Sequence, residues 1–333
     1  MSLKVLFIGG TGIISSACSA RAVEAGLDLY LLNRGSAQRP VPSGATVLHG
    51  DIRSRESAEK ALEGHTFDVV VNWIAFTPEH VENDLNLFRG RTGQYLFISS
   101  ASAYRKPPTS IPITESTVLH NPFWKYSRDK IACEERLIRA FREEDFPVTI
   151  VRPSHTYDQT LLPMHGGYTI IDRMRRNKPV VVHGDGTSLW TLTHHRDFAK
   201  GFVGLLGNPQ TIGESFHITS DEALTWDQIF RIFAHAAGAP SPTLVHVPSE
   251  TIAAYDPKSG DSLLGDKAHC AVFDNTKIKR IVPDYVATIP LSLGAREVIA
   301  WYDADPARQR VDEAINRLTE TLIEAQQRAL PSL

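Results

Sequence analysis

Short apolar runs alternate with helix-period segments through the first half of the chain. Residues 4–8 (KVLFI), 27–33 (LDLYLLN), 45–51 (ATVLHGD), 67–75 (FDVVVNWIA), 94–100 (QYLFISS) and 146–153 (FPVTIVRP) read as six strands. The fourth is apolar enough to be buried on both faces, as strands of a covered parallel sheet are. Residues 14–26, the RESAEKALEG segment and residues 127–144 read as helices between strands, the first stopped by a glycine. This alternation predicts an α/β fold built on a doubly wound parallel sheet.

After Pro153 the rhythm breaks, and proline, glycine and histidine become more frequent. Residues 213–220 (GESFHITS) read as one more sheet strand, and TWDQIFRIFAHAAG as a helix capped by Thr225. The pattern divides the chain into a sheet domain at 1–155 and a smaller mixed lobe at 156–333, with 184–220 partly returning to the sheet. The tail at 307–330 carries Val311, Ile315, Leu318, Leu322 and Ala325 on one stripe. Such a stripe predicts docking onto its own domain, with an oligomer contact as the alternative.

Composition narrows the class. The 333 residues are 42% hydrophobic and 22% charged, as in an ordinary globular protein. A formal net charge of -3 gives no global basic field for nucleic acid or an anionic membrane. The short basic patch at 277–280 reads as a solvated face. Cys18, Cys133 and Cys270 are widely spaced, so neither a disulfide framework nor a metal site is expected. The first apolar run is too short for a signal peptide or membrane span, and the expectation is a cytoplasmic protein.

The first chemistry lies in FIGGTGIIS, between the first strand and first helix. Gly10-x-Gly12-x-x-Ser15 nearly matches the G-x-G-x-x-G/A dinucleotide fingerprint. Early glycines permit a tight turn and close approach of a pyrophosphate, and the helix N-terminus supplies free N–H groups. In the first βα turn of an alternating chain this predicts a Rossmann-type site that includes Gly9, Gly10, Thr11 and Gly12. Asn33-Arg34 ends the second strand, where an acid would hold the adenosine ribose of NAD. Arg34 suits the 2′-phosphate of NADP, or stacking on adenine in NAD, and the reading leans to NADP. Asp51 ends the third strand, placed for the adenine amino group or as a helix cap.

Tyr126 and Lys130 stand four residues apart on a predicted helix and so share a face. With Gly9-Gly10-Thr11-Gly12, Gly50-Asp51, Ser99-Ser100-Ala101-Ser102-Ala103-Tyr104 and VRPSHTY in order, the chain resembles the short-chain dehydrogenase/reductase superfamily. The branch is the extended or atypical one, which holds the NAD-dependent epimerases and dehydratases. The resemblance runs to about Trp226. It implies that Tyr126 is the general acid/base, that Lys130 holds the nicotinamide ribose and lowers the phenol's pKa, and that Ser100 bonds the substrate oxygen. It also implies cofactor contacts at Ile13, Ile52, Ala75 and Pro153. A nearby cation does favour phenolate, because a free phenol is a poor base at neutral pH.

The departures from the family pattern bear on substrate. Ser15 replaces the usual third glycine. Ala101 and Ser102 follow Ser100 where dehydratases carry Asp-Glu. Trp190 stands where many nucleotide-sugar enzymes carry an arginine for the diphosphate. Phe76, Ser102, Trp124, His155, Trp190 and His194 are the expected substrate contacts, with Trp73 a further wall or ordinary core. His194 and His195 cannot both face one site if their segment is extended. The expected activity is that of an NAD(P)-dependent oxidoreductase or epimerase acting on a sugar-like small molecule, with no nucleic-acid partner and homodimerisation possible. A regulatory dinucleotide-binding protein and an RNA-binding atypical member are the alternatives.

Overall fold

A computed structural model describes residues 2–35 and 39–329. The elements run β1 (Lys4–Ile8), α1 (Ile13–Glu24), β2 (Asp28–Asn33), β3 (Thr46–His49), α2 (Arg55–Ala61), β4 (Val69–Asn72), α3 (Pro78–Phe88), β5 (Gln94–Ile98), α4 (Lys125–Glu144) and β6 (Val148–Pro153). Then follow β7 (His155–Tyr157), α5 (Tyr168–Arg175), β8 (Val180–His183), β9 (Leu189–Trp190), β10 (Leu192–His194), α6 (His195–Val203), β11 (Ser215–Ile218) and β12 (Leu224–Thr225). The chain ends with α7 (Trp226–Ala236), β13 (Leu244–Val247), α8 (Ser249–Tyr255), α9 (Pro257–Ser262), α10 (Thr276–Ile281), α11 (Leu291–Asp303) and α12 (Glu313–Ala329).

Seven strands form one parallel sheet in the order β11-β6-β5-β4-β1-β2-β3. Strand order reverses between β1 and β4, which opens a crevice beyond their carboxyl ends. All six strands read from the first half are present, and residues 213–220 supply β11 at the sheet edge. Val70 and Val71 are buried on opposite faces of β4 and belong to two separate apolar layers, one on each side of the sheet.

Two crossover helices add to those expected from the sequence. α3 begins at Pro78 behind the cap residue Thr77, and only Val81, Leu85, Leu87 and Phe88 are its buried apolar residues. Proline is well placed there because the first helical N–H has no partner. α6 begins where β10 ends, so the HHRD stretch changes from strand to helix within two residues. In the second half, β7 pairs with β10, β8 with β13 and β9 with β12 around a third apolar cluster that holds Trp190, Trp226 and Phe230. Thr225 caps α7 through a reciprocal pair with Gln228, as its sequence predicts. Leu318 and Leu322 of α12 pack on Val247, Ile252 and Leu263, so the tail docks on its own chain. Leu330, the last residue of the predicted tail helix, lies outside the described residues. Among the described residues no helix is long and apolar enough to cross a membrane.

One buried ion pair ties α4 to the sheet. Arg152 of β6 donates from Nε to Glu134 Oε1 at 3.0 Å and from Nη2 to Oε2 at 2.6 Å. The pair is closed off from solvent, and Ser99 donates a further bond to Glu134. Removing one partner leaves a buried charge unmatched, which costs about 3–5 kcal/mol. Glu134→Ala is therefore expected to lower unfolding stability by about that amount in a urea titration, with a smaller loss for the isosteric Glu134→Gln.

Candidate active site

A cleft of about 840 Å³ lies beyond the carboxyl ends of the sheet strands. The glycine turn forms one end. Gly10 has φ +98°, and a Cβ there would stand 2.7 Å from Leu31 Cδ2, so only glycine fits. Gly12 precedes α1, whose first N–H groups lack intrahelical partners. Ser15 is buried, and its Oγ accepts from Gly12 N at 2.8 Å. Its hydroxyl thereby takes up one amide of the turn. The backbone at Gly9, Gly10, Thr11, Gly12 and Ile13 lines the cleft, so turn and helix end together fit a dinucleotide pyrophosphate.

At the ends of β2 and β3, Asn33, Arg34, Asp51 and Ile52 line the same cleft. With its amide oriented to satisfy both atoms, Asn33 donates to Gly9 O at 2.6 Å and ties β2 to the glycine turn. Arg34 stands 4.0 Å from Asp51. Asp51 Oδ1 accepts from Arg53 N at 2.9 Å, whereas the α2 cap is Ser54. Arg53 also faces the cleft, and its guanidinium donates to Ile74 O. It is a second cation that the sequence reading did not single out, although it lies two residues beyond Asp51.

At the other end, α4 presents Tyr126 and Lys130 on one face. Lys130 is 1% exposed, and its Nζ donates to Ala75 O at 2.6 Å and to Ile98 O at 2.7 Å. Burial pulls it down to about 7. Burial also pushes the Tyr126 phenol up to about 12, while the neighbouring Ser100 hydroxyl favours the phenolate and offsets part of that rise. This is opposite in sign to the depression expected from Lys130. Desolvation penalises both charged forms at once, and Lys130 Nζ sits 5.8 Å from the phenol ring centroid.

Ser100 is held by its neighbours. Its Oγ lies 2.8 Å from Ser102 Oγ, which accepts from Ser127 Oγ of α4 at 2.7 Å. Ser102 is thus buried and orients Ser100 as well as lining the cleft. Asn121 fixes the entry to α4. Its Oδ1 accepts from Trp124 N at 3.0 Å, and its Nδ2 donates to Ser102 O at 2.9 Å and to Gly265 O at 2.6 Å.

Of the expected substrate contacts, Phe76, Ser102, Trp124, His155 and Trp190 line the cleft. Phe76 and Trp124 flank Tyr126, with ring centroids at 6.4 Å and 4.8 Å. Trp190 is also packed in the core against Trp226, and its Nε1 donates to His155 Nδ1 at 3.4 Å. Burial holds His155 at about 3, so it serves as a neutral acceptor. His194 does not line the cleft. It caps α6 and turns its Nε2 to Glu297 at 3.2 Å. His195 bonds Ile13 O at 3.1 Å, behind the glycine turn. Pro153 lines the cleft, while Ala75 contributes its carbonyl to Lys130. Trp73 is both wall and core, stacked edge-on against Phe7. Asp266 and Lys267, in a π-turn at Leu263–Lys267, line the same cleft as Trp124 and Trp190. No motif in the sequence marks them.

Sheet order, glycine turn and cleft together define a Rossmann-type dinucleotide-binding protein. A model of the NAD dependent epimerase/dehydratase family matches residues 5–219, and the chain belongs to that family. It is 27% identical over 272 residues to the chloroplast stem-loop binding protein of 41 kDa b of Arabidopsis thaliana, covering 78% of this chain and 67% of that one. It is 31% identical over 156 residues to a UDP-glucose 4-epimerase of Streptomyces lividans, covering 41% of this chain and 47% of the relative, about half its length. The fold matches the UDP-glucuronic acid 4-epimerase of Bacillus cereus in complex with NAD at a TM-score of 0.70 and 19% identity, covering 92% of this chain and 100% of that chain.

The Lys130 shift makes a stability prediction. Below pH 7 both folded and unfolded states carry the ammonium, and the folded state bears the whole burial penalty. Between about 7 and the ordinary lysine value of 10.5 only the unfolded state stays charged, so stability rises with pH. Replacing Lys130 with Met should therefore alter melting temperature in a pH-dependent way. The variant gains most relative to wild type near pH 6, and its relative gain shrinks steadily toward pH 9.5. A gap that stays constant with pH would contradict the buried charge.

Proposed function

We propose that this protein is an NAD(P)-dependent oxidoreductase or epimerase. It acts at a secondary alcohol or ketone carbon of a sugar-like substrate, with Tyr126 as the acid–base group. The observation that carries this reading is the convergence of Ser100, Tyr126 and Lys130 in the cleft that the glycine turn closes at its other end. The dinucleotide, when bound, supplies the hydride chemistry. Tyr126 gives or takes the proton at the substrate oxygen, and Ser100 bonds that same oxygen. Lys130, fixed by two carbonyls, positions the ribose hydroxyls. Ala101 and Ser102 supply no carboxylate beside Ser100, which favours redox or epimerisation over dehydration. Phe76 and Trp124 exclude water beside the phenol. Arg34 and Arg53 at the adenosine end favour NADP over NAD.

Tyr126→Phe should lower turnover by roughly 10²–10⁴-fold while dinucleotide affinity changes little. Tryptophan-fluorescence titration of both forms with NADP and with NAD reads the affinity and the cofactor preference. Retained turnover in the variant defeats the assignment.

A second reading has its warrant in the plastid relative, which is named for stem-loop binding and matches 78% of this chain. Under it the cleft is regulatory and the protein binds folded RNA. The net charge of -3 weighs against this. A gel shift with a stem-loop RNA is expected to show no complex at 200 mM salt, conditions under which phosphate contacts are already weakened. A stable complex there would favour the second reading.

A further inference from the structure

A second cavity, of about 270 Å³, adjoins the substrate end of the cleft. Its walls are mainly apolar, with Leu162, Met164, Ile170 and Phe230, closed on one side by Leu318 and Leu322 of α12, and polar groups from His165, His183, Ser259 and Ser262 at the margins. His155 and Lys267 border both cavities. The histidines there add no positive charge near neutral pH, because burial holds His155, His165 and His183 below the usual imidazole value. Lys106 is buried and paired with Asp266 at 3.2 Å, so those two charges cancel. Among the described residues, the Lys267 ammonium has neither an ion-pair nor a hydrogen-bond partner; the residue borders both spaces, and its charge acts on His155, His165 and His183 alike. Its backbone carbonyl, in contrast, is held by Trp226 Nε1 at 3.1 Å and His183 Nε2 at 3.0 Å.

Resting on the function proposed above, we propose that the substrate carries, away from its reacting carbon, one carboxylate that pairs with Lys267 and an apolar group that fills the second cavity. The charge count selects a carboxylate. Where the two cavities join, one unmatched cation balances one negative charge, while a diphosphate would bring at least one more into a partly enclosed space with no partner there. The volume selects the apolar group. A cavity of about 150 Å³ already accepts a benzene ring, so the larger space here takes an aryl or branched alkyl group.

Trp226 lines the cavity and reports its filling by fluorescence. The probes are 3-phenylpropanoate, 3-phenylpropanol, 3-phenylpropyl phosphate and UDP, each titrated into the full chain. The acid is expected to bind at least tenfold more tightly than the alcohol. Lys267→Gln should erase that difference by weakening only the acid. Leu318→Trp, which fills the cavity from α12, should weaken acid and alcohol together. Equal binding of acid and alcohol by the wild type overturns the proposal, as does an unaltered preference in the Lys267→Gln variant. Tighter binding of UDP or of the phosphate ester than of the acid also overturns it and assigns the site to phosphate. An NADP titration of the same sample separates the two proposals. Protein that takes NADP but not the acid fails here alone, and protein that takes neither fails the proposed function as well.

Discussion

The buried ammonium of Lys130 is the constraint on which the site depends. It lies under α4 and reaches two backbone oxygens, one just past β4 and one at the end of β5. Neighbouring parallel strands leave such carbonyls open where they diverge, and a cation with three donors can satisfy two of them together. The rotation and depth of α4 follow. Tyr126 stands one turn before Lys130 and Glu134 one turn after, so phenol, ammonium and carboxylate follow one another along a single face. Glu134 locks the far end of that row to β6 through Arg152. Asn121 locks the near end by bonding Ser102 and Gly265. The end of the cleft that holds Tyr126 and Lys130 is therefore anchored at both ends of α4.

That rigidity has an electrostatic cost. The same burial that fixes the two groups moves them in opposite directions, the phenol up to about 12 and the amine down to about 7. In the protein alone the phenol is far from the neutral range, while the amine titrates within it. Among the described residues, the Ser100 hydroxyl is the neighbour of the phenol that favours its ionised form.

Much of this was legible along the chain because it is written locally. Strand runs, the glycine turn, the Thr225 cap and the four-residue spacing of Tyr126 and Lys130 each need only a short window. Most of what escaped is set by contacts between distant segments. α3 does carry Val81, Leu85 and Phe88 at helical spacing, a stripe that a reading centred on the strands passes over. His194 was read as facing substrate, but the strand ends at that residue and its ring becomes a helix cap. The sign of the Tyr126 shift could not be read from spacing, because spacing gives proximity and not depth. Asp266 and Lys267 reach the cleft through contacts with distant segments: Asn121, 144 residues before Gly265, bonds the Gly265 carbonyl, and Trp226 and His183 bond that of Lys267.

The way that turn is held has a consequence for how the protein can change. At position 267 the main chain is anchored by its carbonyl to an indole and an imidazole, and neither bond involves the side chain. The path of the backbone is thus indifferent to which residue stands there. A single exchange at this position alters the charge at the join of the two cavities while both anchoring bonds of the backbone remain. If the two proposed roles hold, selection of the guest and execution of the chemistry are separable traits in this architecture.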